Sequence, residues 1–245
     1  MRFIHLSDFH IGKRINGFSM LQDQKYIFQQ ILDIIDEESI EAVLISGDIY
    51  DRTSPSAEGE AVLDWFLTEI ANRKLPTYII SGNHDSQLRL SFGSKFMKKS
   101  DIHISPVYDG NINVEKIKDE YGDIYIYLLP YLKLSEIRNV YPEMEADCLS
   151  DAIKYSIGKM EIDKGKRNII LSHQFVIDAA ESEEQNLGGT DAVDFHVYDD
   201  FDYAALGHIH RAYSIGRKEV RYSGSPLKYS LREIFADKSV TIFDM

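Results

Sequence analysis

Thr77-Tyr78-Ile79-Ile80-Ser81 runs directly into Gly82-Asn83-His84-Asp85. The first five residues read as a short buried strand, and the next four stand at its carboxyl end, where open α/β sheets collect their ligands. Asn83 offers a neutral oxygen to a cation, His84 a proton near neutral pH, and Asp85 a carboxylate able to orient an imidazole. Gly, Asn and Asp also favour turns, so a turn without chemistry is the competing reading of this tetrapeptide alone.

Upstream, the same device recurs. Arg2 to Ser7 reads as a first strand that delivers Asp8-Phe9-His10. Residues i and i+2 of an extended segment share a face, so Asp8 and His10 can share one cation while Phe9 packs on the opposite side. Glu41 to Ser46 is a second apolar strand, ending in Gly47-Asp48-Ile49-Tyr50-Asp51. Helical patterns cover Leu21 to Glu38 and residues 57–73, the latter with Val62, Leu63, Phe66, Leu67 and Ile70 on one face and Trp65 packing beside them. The order βαβαβ calls for a parallel sheet with right-handed crossovers.

Downstream, stretches around His103-Ile104, Asn111 to Val114 and Asp123 to Leu129 alternate like strands of a second, partly antiparallel sheet, ending at Leu129-Pro130-Tyr131. A helix is expected over residues 146–160, with Cys148 inside it as a small buried hydrophobe. Asn168 to Ser172 is a strand capped by His173, and a polar loop with Glu181, Glu183, Glu184 and Gly188-Gly189 follows. Asp202 to Leu206 then ends in Gly207-His208-Ile209-His210, and strands in Glu219 to Ser223 and Ser239 to Phe243 close the fold. His5, His103 and His196 are expected to be structural or exposed.

A chain of 245 residues with 44% apolar composition can bury one substantial core, and a single domain over 1–245 is expected. No apolar run approaches the roughly 20 residues that span a bilayer, and Met1 leads into a strand rather than a signal sequence. A cytoplasmic, membrane-free protein is the expectation. The single cysteine excludes an internal disulfide and a cysteine-based zinc site. A net charge of −13 argues against a whole-surface grip on nucleic acid. It leaves room for a local groove near Lys13, Arg14, Arg52, Arg89, Lys95, Lys98, Lys99 and Arg211.

Potential metal donors now stand at five strand ends: Asp8 with His10, Asp48, Asn83, His173, and His208 with His210. Mixed oxygen and nitrogen donors without thiolate suit two borderline divalent ions, with Asp48 as the natural bridge. Two such ions would acidify a water and brace the oxygens of an in-line displacement at phosphorus, so phosphate-ester hydrolysis is the expected reaction.

The series Asp8-Phe9-His10, Gly47-Asp48, Gly82-Asn83-His84-Asp85, His173 and Gly207-His208-Ile209-His210 resembles the calcineurin-like metallophosphoesterase superfamily. That resemblance implies a four-layer α/β/β/α sandwich with mixed sheets. It implies one ion held by Asp8, His10, Asp48 and His210, and another by Asp48, Asn83, His173 and His208. It makes His84 the proton donor to the leaving oxygen, oriented by Asp85.

Stretches without ligands resemble the SbcD-type DNA repair nucleases over nearly the whole chain: Leu129-Pro130-Tyr131, Gly188-Gly189, Arg221 to Leu227, Tyr229-Ser230 and Lys238-Ser239-Val240. This closer resemblance implies a DNA phosphodiesterase using Mn²⁺, with Mg²⁺, Fe²⁺ or Zn²⁺ as alternatives. It implies 3′ to 5′ exonuclease action on double-strand ends and endonuclease action on single strands and hairpins, in double-strand break repair and recombination. It also implies a homodimer that works with an SMC-like SbcC ATPase. Members of that family continue into a DNA-capping domain and an SbcC-binding segment, so a sequence that stops at Met245 is expected to be the nuclease core alone. The rival readings are a small-molecule or nucleotide phosphodiesterase or phosphatase on the same scaffold, and a non-catalytic interaction module.

Overall fold

The structure is a computed structural model and describes residues 1–179 and 191–245. Its parallel strands β1 (Arg2–Leu6), β2 (Ala42–Ser46) and β3 (Thr77–Ile80) are buried nearly throughout, as strands covered on both faces must be. With β4 (Ile102–Ile104) they form one sheet in the order β1-β2-β3-β4. The second sheet contains β5 (Asn113–Asp119), β6 (Gly122–Leu128), β7 (Arg167–Ser172), β8 (Tyr203–Leu206), β9 (Tyr213–Ile215) and β10 (Arg217–Tyr222). Its order is β9-β10-β8-β7-β6-β5, parallel at the centre and antiparallel at both edges. Finally β11 (Thr241–Asp244) returns to the first sheet, antiparallel to β1, with Phe243 opposite Phe3.

Period two then sets the layers. Phe3, Leu44, Tyr78 and Ile80 of one sheet meet Ile124, Ile126, Ile169, Leu171 and Ala205 of the other in a shared core. The intervening residues Ile4, Val43, Ile45 and Ile79 pack on α1 (Leu21–Glu37) and α2 (Ala57–Asn72). On the far side, Tyr127, Ile170, Ala204 and Leu206 pack with α3 (Leu134–Val140) and α4 (Leu149–Gly158). The result is the expected α/β/β/α sandwich. Each fully buried Leu or Ile in these cores contributes roughly 1.5–3 kcal/mol.

Several local expectations are corrected. β4 joins the first sheet, parallel to β3, rather than the second; three alternating residues do not encode which edge they will pair with. β5 begins at Asn113 and continues to Asp119 as a half-exposed edge strand. The helix expected over 146–160 shortens to α4, and Cys148 is its half-buried N-cap, with Sγ 3.3 Å from Asp151 Oδ2, rather than a core residue. α3 was not anticipated; the Lys133 N–H donates to Glu136 Oε2 at 2.7 Å and fixes its start. The loop with Glu181, Glu183, Glu184, Gly188 and Gly189 lies outside the described residues.

Trp65 packs against the α1/α2 core, with Lys25 Nζ 5.2 Å above its ring. His5 is buried between the sheets, 3.0 Å from Tyr203 Oη and 3.2 Å from Ser46 Oγ, and burial lowers its pKa to about 3. His103 stacks on Tyr78 and faces Glu115 at 3.1 Å, while exposed His196 lies 3.0 Å from Asp199. No helix among the described residues is long and apolar enough to cross a membrane.

Candidate metal centre

Past their last strand residues, the β1 and β2 segments stay zipped together. Asp8 N–H donates to Gly47 O at 3.0 Å, His10 N–H to Asp48 O at 2.9 Å, and Ile11 N–H to Ile49 O at 2.9 Å. This sets Asp8 and His10 beside Asp48. Asp8, His10, Asp48 and His208 all adopt left-handed backbone, with φ of 54°, 45°, 51° and 100°, a conformation costing about 1–3 kcal/mol for a non-glycine residue. Such strain concentrated on four donors points to a site rather than a set of turns. Close approach also fixes two glycines: a Cβ on Gly82 would lie 2.2 Å from Asp48 Oδ1, and one on Gly207 2.0 Å from Ser46 O.

The donors gather in two groups around Asp48. In one, His10 Nε2 lies 3.0 Å from His210 Nε2 and 3.5 Å from Asp48 Oδ2, with Asp8 Oδ1 3.9 Å from His210 Nε2. In the other, Asn83 Oδ1 lies 3.1 Å from His173 Nε2 and 3.0 Å from His208 Nδ1, and Asp48 Oδ2 is 3.4 Å from His173 Nε2. Asp8 also accepts the His208 N–H, at 3.1 Å through Oδ1. Asp8 with His10 and His210, and Asp8 with Asp48 and His173, each offer three ligand atoms mutually within 4.8 Å.

These atoms fit divalent cations. His173 Nδ1 lies 2.6 Å from the Ser46 carbonyl, to which its N–H donates. In the neutral ring Nε2 is then an acceptor, yet it faces Asn83 Oδ1 and Asp48 Oδ2, also acceptors. With Asn83 oriented as it is, a positive charge relieves that convergence. In the metal-free chain a proton supplies it: burial disfavours the charged ring, but Asp48 prevails and raises the His173 pKa to about 9. At His10 and His208 burial outweighs the pull of Asp48 and lowers them to about 3 and about 4. Both therefore present unprotonated nitrogens at neutral pH.

His84 sits beside the first group, its ring 4.8 Å from that of His10. Its main-chain N–H donates to Asp48 Oδ1 at 2.9 Å, and its ring Nδ1 lies 2.9 Å from the Asp51 carbonyl. The expectation that Asp85 orients this ring is corrected. The Asp85 carboxylate accepts from Gly82 N–H at 2.8 Å, Tyr50 N–H at 2.9 Å and Ile49 N–H at 3.0 Å. It ties the β3 loop to the β2 loop, and burial beside Asp48 raises its pKa to about 6 against those three donors.

Other supporting residues were not legible in the sequence. Buried Gln24 of α1 donates through Nε2 to Phe9 O at 3.0 Å and His10 O at 2.7 Å, and its Oε1 accepts from Gly12 N–H at 3.0 Å. The Tyr229 ring packs in T-shaped contact with His10 and His210, at centroid separations of 5.5 and 5.9 Å. Glu233 Oε1 lies 3.1 Å from His210 Nδ1. Tyr131 N–H donates to Ser81 O at 2.9 Å, joining the tips of the two sheets. Of these, Tyr131 and Tyr229 lay in stretches that carried the resemblance, whereas Gln24 and Glu233 gave no signal.

This chain belongs to the calcineurin-like phosphoesterase family, whose model matches residues 1–212. Membership implies divalent metal ions, and the donor groups described above are suited to them. Among individual proteins, it is 32% identical to the D subunit of the SbcCD nuclease of Staphylococcus epidermidis (strain ATCC 12228 / FDA PCI 1200), over 100% of this chain and 66% of that protein's length. The fold is similar to the crystal structure of TT1561 of Thermus thermophilus, with a TM-score of 0.57, 10% identity, and coverage of 91% and 89% of the two chains. A dimetal phosphatase from Danio rerio aligns at a TM-score of 0.48 with 10% identity, over 91% of this chain and 86% of its own.

Proposed function

We propose that this chain is the phosphodiesterase unit of an SbcD-type DNA nuclease. The observation that carries the reading is one carboxylate, Asp48, shared by two groups of donors with the His84 ring beside one of them. Asp8, His10, Asp48 and His210 would hold one ion and Asp48, Asn83, His173 and His208 the other. Divalent ions held there, Mn²⁺ in our reading, would supply Lewis-acid activation of a water and charge neutralisation at the phosphoryl oxygens. His84 gives its proton to the departing 3′ oxygen. Its Nδ1 is engaged by the Asp51 carbonyl, which leaves Nε2 as the nitrogen that passes the proton. Asp85 acts by holding the loops that carry Asp48 and His84 together.

The substrate in this reading is DNA, taken at double-strand ends by a 3′ to 5′ exonuclease and at hairpins or single strands by an endonuclease, in double-strand break repair and recombination. Similarity to the staphylococcal protein along the whole chain supports it. So do Lys13 and Arg52, which flank Asp51 with nitrogens 2.8 and 3.8 Å from its carboxylate, at the rim by His84. The same similarity supports an SbcC-like ATPase as partner and a cytoplasmic setting. A homodimer is proposed through the helical turns Gln87–Leu90 and Ser94–Met97, where Leu88, Phe92 and Phe96 are exposed. Residues 1–245 are proposed as one domain. A net charge of −13 favours the rival, a phosphodiesterase for nucleotides or other small esters.

The test is cleavage of end-labelled duplex and hairpin DNA with Mn²⁺, Mg²⁺ or EDTA, alongside bis-p-nitrophenyl phosphate and a set of nucleotides. Metal-dependent hydrolysis of both substrates supports the nuclease, whereas a strong preference for nucleotides over DNA favours the rival.

A further inference from the structure

The segment from Tyr229 to Lys238 makes no donor to either ion, yet it grips the His10–His210 side of the centre. Glu233 Oε1 lies 3.1 Å from His210 Nδ1 and accepts from Ser230 Oγ at 3.0 Å. Its other oxygen, Oε2, is held 2.6 Å from Lys238 Nζ. The same ammonium group donates to Ser225 Oγ at 2.7 Å and to the His210 carbonyl at 2.8 Å. Glu233 and Lys238 side chains are each only 13% exposed. Tyr229 closes the arrangement, with its ring in T-shaped contact with both imidazoles and its hydroxyl, which takes a 3.2 Å hydrogen bond from Gln24, on the Phe9 carbonyl.

We infer that Glu233 is the positioning residue of one metal position: it accepts the His210 Nδ1 proton, so that the lone pair on Nε2 faces His10 and Asp8, and Lys238 locks Glu233 in that pose. The inference rests on the metal reading above. An imidazole can present only one nitrogen to a cation, and the hydrogen bond at the other decides which. A carboxylate in that role also makes the ring a stronger donor, and losing such a partner typically costs about 10–100-fold in metal affinity. A role confined to local packing would weaken the fold without selecting a tautomer or one of two ion positions.

The test uses the full chain with Glu233→Ala, Glu233→Gln and Lys238→Met. Long-range ¹H–¹⁵N spectra without metal report the His210 tautomer, and Mn²⁺ titration calorimetry reports the two affinities. Glu233→Ala is expected to lose the Nδ1–H tautomer of His210 and to weaken one Mn²⁺ site by about 10–100-fold while sparing the other. Glu233→Gln keeps an acceptor oxygen, so it should retain the tautomer and lose less affinity, and it carries the test if the alanine variant does not fold. Lys238→Met should weaken the same site by a smaller factor. An unchanged tautomer in Glu233→Ala, with both sites unaltered or equally weakened, overturns the inference. Failure of the unaltered chain to bind Mn²⁺ would instead overturn the metal reading, and the tautomer would still judge the hold of Glu233 on His210.

Discussion

The two sides of the centre are supported by different materials. On one side His173 is backed by a main-chain carbonyl, Ser46 O, inside a buried β2 tip. On the other, His210 is backed by a side-chain carboxylate, Glu233, carried on a surface segment and balanced by Lys238. A carbonyl in a packed sheet cannot be removed by substitution and barely moves, whereas a carboxylate on a loop can be lost, shifted or neutralised. One imidazole of the candidate centre is therefore fixed by the fold and the other by a tunable contact. The first should be the tighter against change in sequence, the second the one whose affinity is open to adjustment.

That contrast can be broken at several points. The largest effect is expected from Asp48→Ala, which removes the carboxylate common to both sides; metal analysis of the purified variant should find neither ion. Retention of one ion would mean that Asp48 serves a single side. His84→Gln should keep both ions and lose about 10²–10⁴-fold in hydrolysis, the usual contribution of a positioned acid. The loss should be greater on DNA than on bis-p-nitrophenyl phosphate, whose leaving group needs little protonation, and equal losses would argue against proton donation. Gly207→Ala drives a Cβ toward Ser46 O, where the contact would be 2.0 Å. Overpacking of this kind costs roughly 1–3 kcal/mol, and Mn²⁺ titration should find weakening confined to the His173 side.

The smallest effect concerns His5, which lies 3.2 Å from the Ser46 side chain. Its folded pKa of about 3 is below the ordinary value of 6.5, so between those values the unfolded chain binds the extra proton. Its contribution to stability is therefore intact above about pH 6.5 and is lost as pH falls toward 3. Urea unfolding at pH 7 and pH 5 should find a drop that is smaller by about 2 kcal/mol in His5→Gln than in the unaltered chain. An identical drop in both would assign the acid sensitivity to other groups.

The strand tips were legible because two signals coincide there: a strand buried on both faces reads as a short apolar run, and each run ended on a residue able to bind a cation. The layers came from the family resemblance rather than from the pattern of any one strand. The supports were not legible, for physical reasons. A carbonyl such as Ser46 O is independent of residue type, and Glu233 in a charged tail looks like any solvated carboxylate. Asp85 misled because neighbours in sequence at a tight turn need not point at each other; its three backbone partners come from two separate loops. The edge strand β4 and the short helix α3 were too brief to declare a partner or a period.

The return of β11 to β1 has a consequence for how the protein is made. β1 carries Asp8 and His10 far upstream of Thr241–Asp244, the strand that pairs its outer edge, and the clasp on His210 lies just before that strand. Until residues 229–244 have left the exit tunnel, a ribosome-bound chain carries its early donors without the groups that complete either their sheet or their orientation. Completion of the His10–His210 side of the donor cluster is thereby tied to the emergence of these residues.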